Sequence, residues 1–128
     1  MTYVDTSVAL AELFAEDRRP TIAFWAGALV SSRLLEYELW VRLHARGAAG
    51  SHGDAARELL SRVALVELAP PVLARALEPF PVPLRTLDAF HLATAHFLAQ
   101  RRQPIEVAAY DGRMRSGAEA LGLRLAAL

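Results

Sequence analysis

The chain has 128 residues, the size of one ordinary domain, and 54% of them are hydrophobic. A chain of this length buries about two-thirds of the surface that its unfolded form exposes, so no second domain is needed. The absence of cysteine excludes disulfides, zinc-thiolate sites and thiol nucleophiles, and any bound metal must be held by oxygen or imidazole. All the basic residues are arginine, which excludes chemistry that needs lysine.

The charges balance, because 14 basic residues stand against 14 acidic ones. Neutrality argues against a protein that holds nucleic acid by bulk positive charge alone, but bound divalent cations would add positive charge at a phosphate. The N-terminus has no basic region followed by a long apolar run, and no stretch approaches the roughly 20 apolar residues that span a bilayer. We therefore expect a cytoplasmic protein with no membrane partner.

Apolar spacing and turn residues predict helices and strands that alternate along the chain. In chain order they are a strand at 1–4, helices over 8–16 and 21–29, a strand at 30–32, a helix over 33–46, a turn at 50–53, a helix over 54–63, a strand at 66–68, helices over 72–77 and 84–100, a strand from 105, a helix over 112–121 and a strand at 124–127. Strands that alternate with helices imply a parallel sheet covered on both faces. The predicted fold class is α/β, a three-layer α/β/α sandwich with a short central parallel sheet, in a single domain over residues 1–128.

Two acids lie at predicted strand ends. Asp5 and Asp111 each follow a short apolar segment and precede a helical one, near opposite ends of the chain. Ligands of an open parallel sheet collect outside the carboxyl ends of its strands, so these two carboxylates can converge. The alternative is that each acid only caps the helix that follows it, although capping and metal binding are compatible.

A third acid lies in an apolar helical pattern. Glu36 and Glu38 are two residues apart, about 200° around a helix axis, so only one of them can face a given pocket. Glu38 shares a face with Leu35 and Leu39, which favours it as the half-buried acid. The alternative is an ion pair between Glu38 and Arg42 at i,i+4 spacing, worth only about 0.2–0.5 kcal/mol.

Asp88 opens the most apolar helical pattern of the chain, where an unpaired charge is costly to bury. The alternative is that Thr86 caps this helix and Asp88 is a favourable partner of its dipole. His91 lies near Asp88, but a histidine in such a helix is more often a packing or supporting residue than a metal ligand. The remaining histidines share no metal-ligand spacing and are assigned no chemistry: His44, His52 and His96.

Taken in order, four segments resemble the PIN-domain ribonucleases, and within them the VapC-type toxins of toxin–antitoxin pairs. The segments are Tyr3-Val4-Asp5-Thr6-Ser7, Ser31-Ser32 through Glu38-Leu39, Arg85-Thr86-Leu87-Asp88-Ala89-Phe90-His91-Leu92-Ala93-Thr94-Ala95, and Tyr110-Asp111-Gly112-Arg113. The resemblance covers nearly the whole chain. It implies that Asp5, Glu38, Asp88 and Asp111 form an acidic pocket for Mg²⁺, or for Mn²⁺, and that Ser7 is the small hydroxyl residue that often accompanies the first acid.

The resemblance implies a metal-dependent endoribonuclease that leaves a 5′-phosphate and a 3′-hydroxyl. It also implies an RNA substrate, a small cognate antitoxin and a homodimer. Phosphate contacts are expected from Ser7, Arg42, Arg85, Arg113 and Arg115, the alternative for each arginine being a solvated surface position. A few large apolar residues are candidates for an interface, although core positions are the commoner role: Phe14, Trp25, Leu29 and Trp40.

Other enzyme classes fit less well. A haloacid-dehalogenase-type phosphotransferase needs a second acid two residues after the first, where this chain has Ser7, and a response-regulator receiver domain needs a lysine. A serine hydrolase would need a Gly-x-Ser-x-Gly elbow, which is absent. The main alternative is a catalytically inactive PIN-like module that acts through RNA or protein contacts.

Overall fold

The computed structural model describes all residues, 1–128, and contains five strands and six α-helices. In chain order they are β1 (Thr2–Val4), α1 (Thr6–Leu13), β2 (Leu29–Ser32), α2 (Leu34–Ala45), α3 (Ala49–Ser61), β3 (Val63–Val66), α4 (Pro70–Leu77), α5 (Thr86–Gln100), β4 (Glu106–Ala108), α6 (Gly112–Ala120) and β5 (Arg124–Leu125). A short 3₁₀ helix, Ile22–Ala26, precedes β2.

The five strands form one sheet in the order β3-β2-β1-β4-β5, and every pairing in it is parallel. β1 lies at the centre, with β2 and β3 on one side and β4 and β5 on the other. The direction of strand progression therefore reverses between β1 and β4, which is where an open parallel sheet forms a ligand crevice at its carboxyl edge. This crevice lies between the residues that follow Val4 and Ala108.

Alternate side chains of the central strands enter two separate cores, as the two-residue period of a strand requires. Val4 and Ala108 belong to the core that contains buried residues of α1, α2 and α3. Tyr3, Val30 and Val107 belong to the second core, with residues of α5 and α6. Helices therefore cover both faces of the sheet, which confirms the predicted three-layer α/β/α fold.

The predicted turn at residues 50–53 is wrong, because these residues form the first turns of α3. Gly53 is buried in this helix, and a Cβ there would lie 3.3 Å from Trp40 Cη2. Glycine at this position permits α2 and α3 to pack closely. In the sequence, a glycine needed for such packing cannot be distinguished from a glycine that forms a turn. The strand predicted at 66–68 instead occupies Val63–Val66, so β3 begins directly after α3.

The structure also decides one smaller prediction and two of the alternatives. The helix predicted over 21–29 is only the 3₁₀ helix Ile22–Ala26, because Leu29 pairs with Thr2 and Val63 in the sheet. Thr86 does not cap α5; it is the first residue of that helix. The interface candidates Trp25 and Leu29 are buried in the core, and Phe14 and Trp40 pack against it.

None of the helices combines the length and the apolar character that crossing a bilayer requires.

Candidate functional site

Asp5 lies at the end of β1, at the crevice between β1 and β4. It is the N-cap residue of α1, and its Oδ2 accepts hydrogen bonds from the Ser7 backbone N–H at 3.2 Å and from Ser7 Oγ at 2.6 Å. Only 5% of Asp5 is exposed. The predicted capping role is therefore real, and the second carboxylate oxygen accepts no hydrogen bond from the protein, which leaves it free to bind a ligand.

Ser7 connects the two strand ends across the crevice. Its hydroxyl donates to Asp5 and accepts from the backbone N–H groups of Tyr110 at 3.0 Å and Asp111 at 3.4 Å. The single hydroxyl proton is used within the protein, so the substrate contact predicted for Ser7 has no free donor. Its contacts are those of a residue that holds Asp5 and the β4–α6 connection in a fixed relation.

Glu38 reaches the same edge of the sheet from α2. Its Oε1 lies 2.5 Å from Nε2 of His91, which belongs to α5 on the opposite face of the sheet. Helices on opposite faces meet in this way only beyond the ends of the strands. Glu36 instead pairs with Arg33 at 3.4 Å, and the predicted alternative pair between Glu38 and Arg42 does not form.

His91 is the centre of a buried hydrogen-bond network. It is 1% exposed, and its Nδ1 lies 2.7 Å from the Tyr3 hydroxyl, which also accepts from the Ser32 backbone N–H at 3.1 Å. Its Nε2 is shared between Glu38 and Thr6 Oγ1, the latter at 3.2 Å. A carboxylate only accepts hydrogen bonds, so Nε2 carries a proton and donates it to Glu38. The supporting role favoured for His91 agrees with this geometry.

Sequence reasoning did not find this network. Tyr3 and Thr6 flank the most prominent acid, but their partners lie 85 or more residues away along the chain. The available signal was the alternation of β1, which directs Tyr3 and Asp5 to the same face. It points Tyr3 toward the helix that carries His91.

Asp88 and Asp111 form a second pair of acids, each half-buried. Asp88 lies in the first turn of α5, where the nearby Arg85 backbone N–H lowers the pKa of its carboxyl. Asp111 caps α6, and its Oδ1 accepts from the Arg113 backbone N–H at 2.8 Å. Both helices thus begin at the site with an acid near their N-termini, a position that the helix dipole favours.

The pKa directions show two electrostatically coupled pairs of acids, Asp5 with Glu38 and Asp88 with Asp111. Burial raises the pKa of Asp5, and the Glu38 carboxylate raises it further, against the lowering effects of His91 and the hydrogen bonds from Ser7. Burial also raises the pKa of Asp88, and the carboxylate of Asp111 adds to the increase. Burial opposes a charge on His91, but its hydrogen bond to Glu38 and the nearby Asp5 and Asp88 carboxylates give a net rise in its pKa.

This site contains more negative charge than the protein neutralises. No arginine forms an ion pair with Asp5, Asp88 or Asp111. No group of three acidic or histidine side chains is arranged closely enough to hold a metal ion as the side chains stand, so the acids form two coupled pairs rather than a closed ligand set. Unneutralised carboxylate oxygens are nevertheless the donors that Mg²⁺ and Mn²⁺ prefer, and the donor set fits such an ion.

The four predicted phosphate-binding arginines differ in their exposure and contacts. Arg113 is exposed and close enough for its charge to lower the pKa of Asp88. Arg42 and Arg85 are exposed and form no ion pair. Arg115 is the exception, because its Nη1 donates to the Ala109 carbonyl at 3.0 Å.

Comparison with known proteins identifies the family of the chain. The family model of the PIN domain matches residues 2–119. The chain is 32% identical over 129 residues to Ribonuclease VapC47 of Mycobacterium tuberculosis (strain CDC 1551 / Oshkosh), covering 95% of this chain and 93% of that protein. It is 30% identical over 133 residues to Ribonuclease VapC35 from the same organism, covering 99% of this chain and 96% of that one. No solved structure matches. The chain belongs to the PIN-domain family.

Proposed function

We propose that this protein is a divalent-metal-dependent endoribonuclease and the toxin of a type II toxin–antitoxin pair. The observation that carries the proposal is Asp5, a buried carboxylate that forms no ion pair, at the crevice where the strand order reverses. The similarity of the chain to two proteins named ribonucleases supports RNA as the substrate. The pairing of acids from four separate elements at one edge supports phosphodiester cleavage at that place.

We assign Asp5 and Asp88 as the central ligands of Mg²⁺, or of Mn²⁺. Glu38 completes the ligand set, and Asp111 binds directly or through a water molecule. When bound, such an ion supplies an activated water and stabilises charge on the phosphodiester oxygens. The protein contributes fixed carboxylate positions and a partly buried site that strengthens their electrostatic effect.

The supporting residues fix those positions. His91 donates to Glu38 and thereby orients its carboxylate, while the Tyr3 hydroxyl holds the imidazole ring from its other nitrogen. Ser7 orients Asp5 and ties it to the segment that carries Asp111. Precise placement of ligands by such partners commonly determines metal affinity.

Contacts to the RNA phosphates are proposed for the exposed Arg42, Arg85 and Arg113. Each has a guanidinium that matches a phosphate in geometry and charge. Arg113 is the strongest candidate of the three, because its charge is close enough to lower the pKa of Asp88. Removing one such contact is expected to weaken RNA binding for all sequences alike.

The proposal includes two protein partners. A small cognate antitoxin is expected to cover the acidic site, with a basic side chain inserted among the carboxylates, and the chain is expected to form a homodimer. Light scattering of the free chain tests the homodimer, and light scattering of the chain expressed with its cognate antitoxin tests the complex. A monomeric free chain would contradict the dimer.

The decisive experiment incubates the purified chain with end-labelled total RNA and Mg²⁺ or Mn²⁺. Metal-dependent cleavage is expected in the wild type and not in Asp5→Asn or with EDTA, and the products are expected to carry 5′-phosphates. Glu38→Gln provides a second test, and Glu36→Gln is its matched control, because Glu36 lies two residues away but pairs with Arg33 outside the site.

Two results would contradict the proposal. Equal cleavage by wild type and Asp5→Asn would identify a contaminating nuclease. RNA binding without cleavage under any metal would instead support the inactive binding module.

A further inference from the structure

A groove of about 330 Å³ opens beside the candidate metal ligands, on the side of α1. Its lining residues come from the start and middle of α1, the segment after it, and the connection between β4 and α6: Ser7, Leu10, Glu16, Arg18, Tyr110 and Asp111. The groove therefore begins at an acid of the site and leads away from it along the protein surface. Arg18 is its one basic residue.

Arg18 is stacked on an aromatic ring within this groove. Its guanidinium carbon lies 4.5 Å from the centroid of the Tyr110 ring, and its Nη2 donates to the Tyr110 carbonyl at 3.4 Å. It is exposed and forms no ion pair, so its charge is available. The Tyr110 ring lies on one side of the guanidinium, and the bond from Nη2 is the one hydrogen bond that the exposed Arg18 side chain makes within the protein.

The backbone brings Arg18 to this position by a sharp turn at the end of α1. The Glu16 N–H bonds to the Ala11 carbonyl at 2.9 Å and the Ala15 N–H to the Glu12 carbonyl at 3.2 Å, a pattern that ends helices with a left-handed residue. That residue is Ala15, with φ of 48°. The turn reverses the chain and sets Arg18 over the tyrosine that immediately precedes Asp111.

We propose that Arg18 and Tyr110 form a subsite for a nucleotide of single-stranded RNA next to the phosphodiester that is cut, a proposal that rests on the proposed nuclease function. The base stacks on the free face of the guanidinium, and its phosphate accepts hydrogen bonds from the guanidinium edge. Single-stranded RNA is commonly recognised through unstacked bases on aromatic rings and arginine planes. An exposed arginine already held over a ring is prepared for this contact.

Position distinguishes this pair from the other stacked arginines of the protein. Arg57 and Arg75 also lie over rings, but both form ion pairs with neighbouring acids. Arg46 and Arg101 lie 4.0 and 4.5 Å from the ring centroids of Phe14 and Phe97, and neither lines the groove beside the acids. Of the five arginine–ring pairs, the Arg18 pair is the one that lines this groove together with Asp111.

The groove depends on Arg18 for its affinity, because the other charged lining residues are Glu16 and Asp111. Without the guanidinium, the groove presents only negative charge to an RNA phosphate. Loss of Arg18 is therefore expected to weaken RNA binding at least about fivefold, the lower range for loss of a stacked base contact.

The test measures binding of a fluorescein-labelled, mixed-sequence single-stranded RNA by anisotropy in Mg²⁺, with Asp5→Asn as the parent protein so that the RNA stays intact. Arg18→Ala in this parent is expected to weaken binding at least about fivefold and to lower the dependence of log affinity on log salt by about 0.7. Arg18→Lys keeps the charge and loses the planar stack, so it is expected to recover the salt dependence and only part of the affinity. Arg101→Ala is the matched control and is expected to bind as the parent does.

The outcomes separate this proposal from the proposed function. Equal affinity of the Arg18→Ala and Arg101→Ala proteins at unchanged melting temperature, or no measurable RNA binding by the parent, would overturn the subsite. If the wild type cleaves RNA and Arg18→Ala cleaves it with an unchanged KM, the nuclease function stands and the subsite fails. If Arg18→Ala weakens binding but the wild type cleaves nothing, the subsite stands as an RNA contact and the nuclease function fails.

Discussion

Replacing His91 by leucine should show how much the buried network contributes to the stability of the fold. The substitution keeps a side chain of similar size but removes the hydrogen bonds to Tyr3, Thr6 and Glu38. The Tyr3 and Thr6 hydroxyls are buried and each loses a partner, at about 1–3 kcal/mol per group. Glu38 keeps 21% of its side chain exposed and can turn to water, so its loss is smaller. We expect the free energy of unfolding to fall by about 2–4 kcal/mol, a large part of the roughly 5–15 kcal/mol of an ordinary domain.

Urea unfolding followed by tryptophan fluorescence measures this change, and an unchanged m-value would show that unfolding remains the same transition. Tyr3→Phe removes one end of the network, and its effect should not add to that of His91→Leu. In the double variant no tyrosine hydroxyl is left unsatisfied, so the two changes together should cost less than their sum by about 0.5–3 kcal/mol. His44→Leu, at an exposed position of α2, is the control and should change stability by no more than about 0.5 kcal/mol.

The network is also expected to set metal affinity. Titration calorimetry of the metal-free protein with Mn²⁺ should show weaker binding in His91→Leu than in the wild type, since Glu38 loses the donor that orients it, with a loss of about 10- to 100-fold. A destabilisation below about 1 kcal/mol, additive with Tyr3→Phe, would refute the energetic argument. Unchanged Mn²⁺ affinity would refute the orienting role of His91.

Three further substitutions test other features of the structure. Asp5→Asn should raise the melting temperature of the metal-free protein. It should also abolish the extra stabilisation that Mn²⁺ gives the wild type, about 2.7 kcal/mol at a hundredfold excess over Kd. Scanning calorimetry measures both effects, and equal stabilisation of the two proteins by Mn²⁺ would refute the ligand assignment. Burial raises the pKa of Asp5 above its ordinary 3.8, so the folded state binds this proton more tightly than the unfolded state does. The stability that the protonated carboxyl contributes is therefore fully present below pH 3.8 and is lost as the pH rises through the raised pKa. The stability difference in favour of Asp5→Asn should grow over that interval. Ala15→Gly should raise the free energy of unfolding by about 0.5–1 kcal/mol in urea titrations, since Ala15 has φ of 48°, and a loss of stability would show that the turn is unstrained. Gly117→Ala should cost about 1–3 kcal/mol in the same assay because a Cβ there would overlap Leu92 in the core, whereas Gly50→Ala, with open space around it, should be neutral or stabilising.

The sequence predicted the layers of the fold well and its boundaries less well. The alternation of apolar segments with helical patterns can be recognised from short stretches of sequence. It predicted the order of strands and helices that the structure shows. The start of α3 was missed because Gly50 and Gly53 read as turn residues, while the structure uses Gly53 to admit Trp40. The position of β3 was missed because apolar residues continue beyond Val66, and pairing with β2 decides which of them join the sheet.

The sequence was enough to propose which acids form the candidate site, but not how their side chains and supporting residues are arranged. Asp5 and Asp111 follow strands, and the rule for parallel sheets brings such residues to one edge. The choice of Glu38 over Glu36 followed from helical spacing and agrees with the contact to His91. The use of the Ser7 hydroxyl inside the protein, and the place of Arg18 over Tyr110, depend on contacts 92 or more residues apart, which local patterns do not encode.

The buried acids of the site reduce the stability of the fold, and their hydrogen-bond partners limit that loss. Burial raises the pKa of Asp5 and of Asp88, so each ionised carboxylate opposes folding near neutral pH. Ser7 limits this cost at Asp5, because its two hydrogen bonds stabilise the charged form. Ser7→Ala should therefore destabilise the wild type more than it destabilises Asp5→Asn, and urea unfolding of the four proteins measures the difference. Equal losses in both backgrounds would mean that Ser7 acts only through the backbone of Tyr110 and Asp111, and that the charge on Asp5 is tolerated without it.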